Sequence, residues 1–217
     1  MNKYRENWYY IGGIIFVIIA FALGLFGDML DPMRRIMIVL FMCLLAHQFE
    51  EYAVPGGFPI AWNVGVSGET EVGDRYPLNT QSAFVANICF GYTLYIIGIV
   101  FCNVPIVCLV IMYITIIQVF VHGIVINKKL GALYNPGLAT ALFAMVPIGI
   151  YGIWYIVSNY NLPVWNWIVS VVVLPFVAFI SIPLPILIFK SRQSPYIFPA
   201  RDTNGFLIKG KSARIRR

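Results

Sequence analysis

Long apolar runs, interrupted at short polar intervals, set the pattern of this chain. A helix crosses the hydrocarbon of a bilayer with roughly 20 residues at about 1.5 Å rise each. Six runs fall near that length: Tyr9 to Phe26, Ile36 to Tyr52, Thr80 to Phe101, Val104 to Ile126, Pro136 to Val157 and Pro163 to Phe189. They predict an all-α, polytopic membrane bundle of six transmembrane helices, with residues 1–190 as one transmembrane domain and 191–217 as a basic cytoplasmic tail. The links between the last four runs are short, which makes consecutive helices antiparallel neighbours. Pro55 to Asn79 is the sizeable loop. Pro147, Pro175, Pro183 and Pro185 lie within the last two runs and predict kinks or a break, one of them near Ile182.

The second run ends on His47-Gln48-Phe49-Glu50-Glu51. In a helix, Glu50 and Glu51 follow His47 by three and four positions and share its face. Ionisable groups at membrane depth are costly, so function is the default reading.

Composition supports the membrane reading. Of 217 residues 60% are hydrophobic and 11% charged, with a mean hydropathy of +0.81, too little polar surface for a soluble domain. The net charge of +6 is concentrated in Lys190 to Arg217. In a membrane protein that placement marks topology and contact with anionic lipid, and nucleic acid is not the expected partner. With the amino terminus in the cytoplasm, Lys3, Arg5, Arg75, Lys128, Lys129 and the tail lie inside, thirteen of the fifteen basic residues, leaving only Arg34 and Arg35 outside. The expectation is a multi-pass protein of the inner (plasma) membrane with both termini cytoplasmic. The first run follows Lys3 and Arg5 as a signal peptide would but lacks an A-x-A site, and reads as a retained span. Cys43, Cys89, Cys102 and Cys108 form no C-x-x-C pair and read as core residues. Trp8, Tyr9, Tyr10, Tyr160, Trp165 and Trp167 suit interfacial belts.

This topology assigns a depth to each polar residue. His47, Glu50 and Glu51 fall at the cytoplasmic end of the second helix. His122 falls at the same end of the fourth, with Gln118 one turn before it. Asn79, Gln81 and Asn87 begin the third, and Tyr134-Asn135 opens the fifth. One layer therefore gathers both histidines, two glutamates and several carboxamides, predicting a polar pocket open to the cytoplasm and built by His47, Glu50, Glu51, Asn87 and His122. Taken singly, Glu51 reads as an interfacial residue at a helix end, and Asn127 and Asn135 as cap and turn residues. Glu69, Glu71 and Asp74 read as a solvated loop face, and Arg75 as a positive-inside residue beside the pocket.

His47-Gln48-Phe49-Glu50-Glu51, followed by Tyr52 and Pro55-Gly56-Gly57-Phe58-Pro59, resembles the signature of the HXXEE family of bacterial integral membrane proteins, named for that motif. His122 and Tyr134-Asn135-Pro136-Gly137 are similar to the same family's second half, so the likeness covers about Ile36 to Ala144. It implies a helical membrane fold and brings no assigned chemistry.

Three chemistries suit the polar layer. The preferred one is a membrane-embedded, metal-assisted enzyme acting on a hydrophobic or lipid-like small molecule. His47, Glu50 and His122 are its candidate ligands, the donor set of open zinc and some iron sites. Glu50 and Glu51 are its candidate acid–base groups, and Asn87 and Gln118 its candidate substrate-binding residues. The second is a metal-free isomerase in which one carboxylate of the pair holds a proton that the other lacks. The third is a carrier or binding protein that moves an ion or small molecule without catalysis. Phosphate loops and the G-x-S-x-G of hydrolases do not occur.

Overall fold

Capping residues set where the helices begin. The computed structural model describes residues 2–203 and is all-helical there, with six helices long and apolar enough to cross a membrane. They are α1 (Trp8–Met29), α2 (Pro32–Tyr52), α3 (Thr80–Val100), α4 (Pro105–Leu130), α5 (Leu138–Asn159) and α6 (Val164–Phe189). The chain is thus a multi-pass membrane protein by helix length and composition. Asp31 caps α2 by accepting from the N–H groups of Met33 and Arg34, and Pro32 occupies the first turn. This moves the start of α2 four residues ahead of the predicted Ile36 and places Arg34 and Arg35 on its first turn. Asn79 and Ser82 form a reciprocal capping box at the start of α3. Gly131, at φ +64°, ends α4 in the left-handed conformation.

Helix α2 is the centre of the bundle, packing on α1, α3, α4 and α5. Its fully buried Met37 and Leu40 join Leu109, Ile111 and Met112 of α4 in the main core cluster. At Gly152 a methyl group would press on the Met112 side chain, so α5 approaches α4 closely because this position has no Cβ. The proline expectations hold in α6, which contains Pro175 and breaks between Ser181 and Pro183.

Three spans depart from α-helical geometry at one level. Residues 85–92 of α3, 121–126 of α4 and 141–145 of α5 form widened π turns, with Asn87 and His122 inside two of them. Such turns are uncommon and re-aim the side chains that follow.

The loop between α2 and α3 carries a short helical segment, 58–66, that packs against the end of α4. Its Asn63, fully buried, donates to the carbonyls of Gly73 and Leu78 and accepts from Leu78 N–H, closing the loop on itself. Glu69 and Asp74 are buried here, contrary to the solvated face expected of them; Glu71 stays solvent-facing. Glu69 accepts from the N–H groups of Glu71 and Val72 and pairs with Arg192 at 2.8 Å. Burial opposes its ionisation, but these donors prevail and hold the carboxyl below its usual range. Asp74 pairs with Arg75 through two bonds of 2.8 and 3.0 Å.

Residues 190–203, the start of the expected tail, pack as a strap beneath the bundle. Tyr196 accepts from Thr80 N–H, Phe198 N–H donates to the Asp74 carbonyl, and Asp202 accepts from the Tyr9 hydroxyl at 2.6 Å. Lys209, Lys211, Arg214, Arg216 and Arg217 lie outside the described residues.

Candidate functional site

Four positions separate His47 from Glu51, so α2 stacks them on one face, both buried. The π turn of α4 brings His122 opposite. His47 Nε2 lies 3.7 Å and His122 Nε2 3.5 Å from the same carboxylate oxygen, Oε1 of Glu51. The two imidazoles meet edge to face with ring centroids 4.8 Å apart. The three ligand atoms lie within 4.8 Å of one another.

The groups behind the imidazoles assign their tautomers. The Thr140 hydroxyl donates to Glu50 Oε2 at 2.5 Å and lies 3.0 Å from His47 Nδ1. Its single hydrogen is committed to Glu50, so its oxygen accepts from Nδ1–H of His47. Asn135 spends both amide hydrogens on the His122 carbonyl and Asn127 Oδ1, which leaves its own Oδ1 to accept from His122 Nδ1–H at 2.6 Å. Both Nε2 atoms therefore turn lone pairs toward Glu51. Separations of 3.5 and 3.7 Å are long for a direct charged hydrogen bond. The shorter is close to the edge of a tetrahedron, about 3.4 Å, spanned by two ligands each some 2.0–2.1 Å from a shared zinc, and the longer would close by a few tenths of an ångström around such an ion.

Glu50 faces the other way. Besides Thr140 it accepts from the Tyr134 hydroxyl at 2.8 Å and from the N–H groups of Ala139 and Thr140 at the start of α5. Burial, then the neighbouring carboxylate, push the Tyr134 phenol above its usual range and keep it a donor. The ligand set read from the sequence named Glu50 with the two histidines. In the structure the carboxylate that reaches both imidazoles is that of Glu51, because Glu50 is drawn away by four donors. A residue four positions on, rather than three, completes the cluster.

Gly137 forms the wall on the far side. Its φ of +102° suits glycine, and a Cβ there would lie 2.9 Å from His47 Cε1 and 2.8 Å from His122 Nδ1. Phe58, from the loop segment, covers His122 at 5.7 Å between ring centroids.

A cavity of about 520 Å³ adjoins the triad, and Asn87 and Gln118 both border it along with His47, Glu51 and His122. The polar end of the bundle, where the sequence placed an opening, is covered by Phe58, Trp62 and Leu78. Asn135 is the residue that sequence reasoning passed over. Read as a turn residue, it is fully buried and holds His122 at two points. The one signal for it was its place in Tyr134-Asn135-Pro136-Gly137.

The Thr140 hydroxyl tests the orienting role of the second layer. Thr140→Val leaves His47 Nδ1 and Glu50 without their common partner, and we expect metal affinity to fall about 10- to 100-fold. Competition titration of the purified protein against a metallochromic chelator measures this.

Fold and site together define a multi-pass helical membrane protein with two imidazoles and one carboxylate buried at the end of its central helix. The chain belongs to the family described as proteins of unknown function with an HXXEE motif, whose sequence model matches residues 38–152, more than half its length. No curated protein and no solved structure matches it.

Proposed function

We propose that this protein is a membrane-embedded, metal-assisted enzyme that uses one divalent ion, zinc or iron, on a lipid-like small molecule. One observation carries the reading: both imidazoles are pinned through Nδ1 so that their Nε2 lone pairs converge with a carboxylate oxygen in a buried place. Acceptors converging in this way repel one another, and a cation among them relieves that repulsion. His47, Glu51 and His122 supply three protein ligands, which leaves a coordination position for water or substrate on the cavity side, as catalytic sites do. An ion held there lowers the pKa of its water or polarises a carbonyl. Glu50, held by Thr140 and Tyr134, acts through His47 as a positioning residue. The metal-free isomerase is less well supported, since Glu50 and Glu51 have separate partners. A carrier is also less well supported, since hydrogen bonds to Thr140 and Asn135 fix both imidazoles. Arg5, Arg75, Lys128 and Lys129 at the triad's end of the bundle support, by the positive-inside rule, a site that faces the cytoplasm from the plasma membrane.

Metal analysis of detergent-purified protein tests this. About one zinc or iron per chain is expected in the wild type, with at least a tenfold loss in Glu51→Gln, whose thermal stability should match that of the metal-stripped wild type. A wild-type protein that stays metal-free after incubation with both ions would overturn the proposal.

A further inference from the structure

Beyond the triad, the cavity carries information about what enters it. Most of its wall is aliphatic, including Leu44, Leu94, Ile114, Val121, Ala178 and Ile186. Its volume of about 520 Å³ falls within the range that holds a drug-sized molecule. Among its lining residues, Ile117, Phe179 and Ile182 are 38, 48 and 41% exposed and belong to the apolar spans α4 and α6. A mouth between two spans faces acyl chains, and the break after Ser181 in α6 lies beside it. The aqueous end is covered by Phe58, Trp62 and Leu78.

Two chemical facts narrow the occupant. Among the described residues no lysine or arginine contributes to the wall, and Glu51 is its one acidic group. A phosphate or sulfate headgroup would find no lysine or arginine as a fixed counter-charge in this wall. Gln48 lines the same cavity, is 1% exposed, and has an Oε1 with no hydrogen-bond partner. Its orientation is settled by its neighbours: Asn87 donates to the Ala83 carbonyl, which turns Asn87 Oδ1 toward Gln48 and requires the Gln48 NH2 to face it at 3.1 Å. The Gln48 carbonyl is what remains, a buried acceptor one residue from His47. Leaving such a group unmatched is costly, and a ligand that supplies a donor relieves it.

We infer that the substrate is an uncharged lipid whose polar end carries a hydrogen-bond donor, a hydroxyl or amide N–H, and that it enters sideways from the bilayer between α4 and α6. This deepens the proposed function by naming its substrate class and rests on the reading of this cavity as the reaction site. The Gln48 carbonyl takes the donor and sets the polar end beside the triad, while the chain occupies the aliphatic wall.

The test uses full-length protein in nanodiscs of zwitterionic lipid, metal-stripped so that the ion does not recruit anions. It compares three photoreactive diazirine probes of equal chain length: a sixteen-carbon alcohol, its methyl ether and the corresponding carboxylate. Saturable labelling by the alcohol of peptides from 78–95, 114–122 and 175–186, about tenfold above the ether, is expected. Gln48→Leu should erase that preference. Ala178→Phe, which fills the wall without touching a polar group, should abolish cavity labelling by both probes, which keeps the test valid if Gln48→Leu fails to fold. Equal labelling by alcohol and ether in the wild type, or stronger labelling by the carboxylate, would overturn the inference. Metal content of the same preparation before stripping is read separately. Donor-dependent labelling in a protein without metal retires the metal centre alone, and metal without donor dependence retires this inference alone.

Discussion

Gly137→Ala is expected to abolish metal loading and to destabilise the protein by about 3 kcal/mol or more. Two costs add. The backbone at φ +102° and ψ −19° is a conformation that side chains rarely adopt. The new methyl would also sit 2.9 Å from His47 Cε1, 2.8 Å from His122 Nδ1 and closer still to His122 Cε1, so both imidazoles must move together. Neither ring has room to yield, since Nδ1 of one is held by Thr140 and that of the other by Asn135. Gly131→Ala is the control. That glycine also has a positive φ, +64°, but no atom lies within 4 Å of its would-be Cβ. It should lose only about 1–2 kcal/mol from the backbone and keep its metal. Metal analysis and thermal unfolding of the three proteins in detergent decide the matter; a metal-loaded Gly137→Ala protein would show that the imidazoles do not act as placed.

Asn135→Ala carries the second large effect. Asn135 is fully buried and serves three partners: it accepts from His122 Nδ1 and donates to the His122 carbonyl and to Asn127 Oδ1. The His122 carbonyl belongs to a π turn, where the usual helical partner is displaced. Removing the carboxamide strands the His122 Nδ1–H and Asn127 Oδ1, each at a cost of about 1–3 kcal/mol, while the His122 carbonyl keeps the Asn127 N–H, so a loss of roughly 2–4 kcal/mol is expected. His122 then chooses its tautomer freely, and metal affinity should fall at least as far as in Thr140→Val. Thermal unfolding with and without added zinc separates the two contributions. A variant whose stability is unchanged would mean that water replaces the carboxamide.

The fold was readable because each span is a long apolar run ended by a capping or breaking residue, and those signals are local. The start of α2 was misplaced for the same reason. Arg34 and Arg35 look like a polar link, yet Asp31 and Pro32 had already opened the helix. That both histidines share one layer with the paired glutamates followed from helical spacing and depth, which is as far as periodicity reaches. Spacings of three and four residues both keep a side chain on one face, so they do not decide between Glu50 and Glu51. That choice is made by the N–H groups of Ala139 and Thr140, nearly ninety positions away, which draw Glu50 aside. Asn135 was hidden for a different reason. Asparagine is ordinary in turns, and nothing local distinguishes one that satisfies its own backbone from one that braces a histidine.

The strap joins residues far apart in sequence, with Tyr9 bound to Asp202 and the 200–203 turn seated on the segment that carries Phe58. Phe58 covers His122, so the roof of the pocket leans on residues made after the sixth span. A nascent chain with all six spans already threaded into the bilayer would still hold an uncovered centre. Closure thus waits for translation to pass residue 202, and a protein shortened before that point would keep its helices while its imidazoles stood open to water.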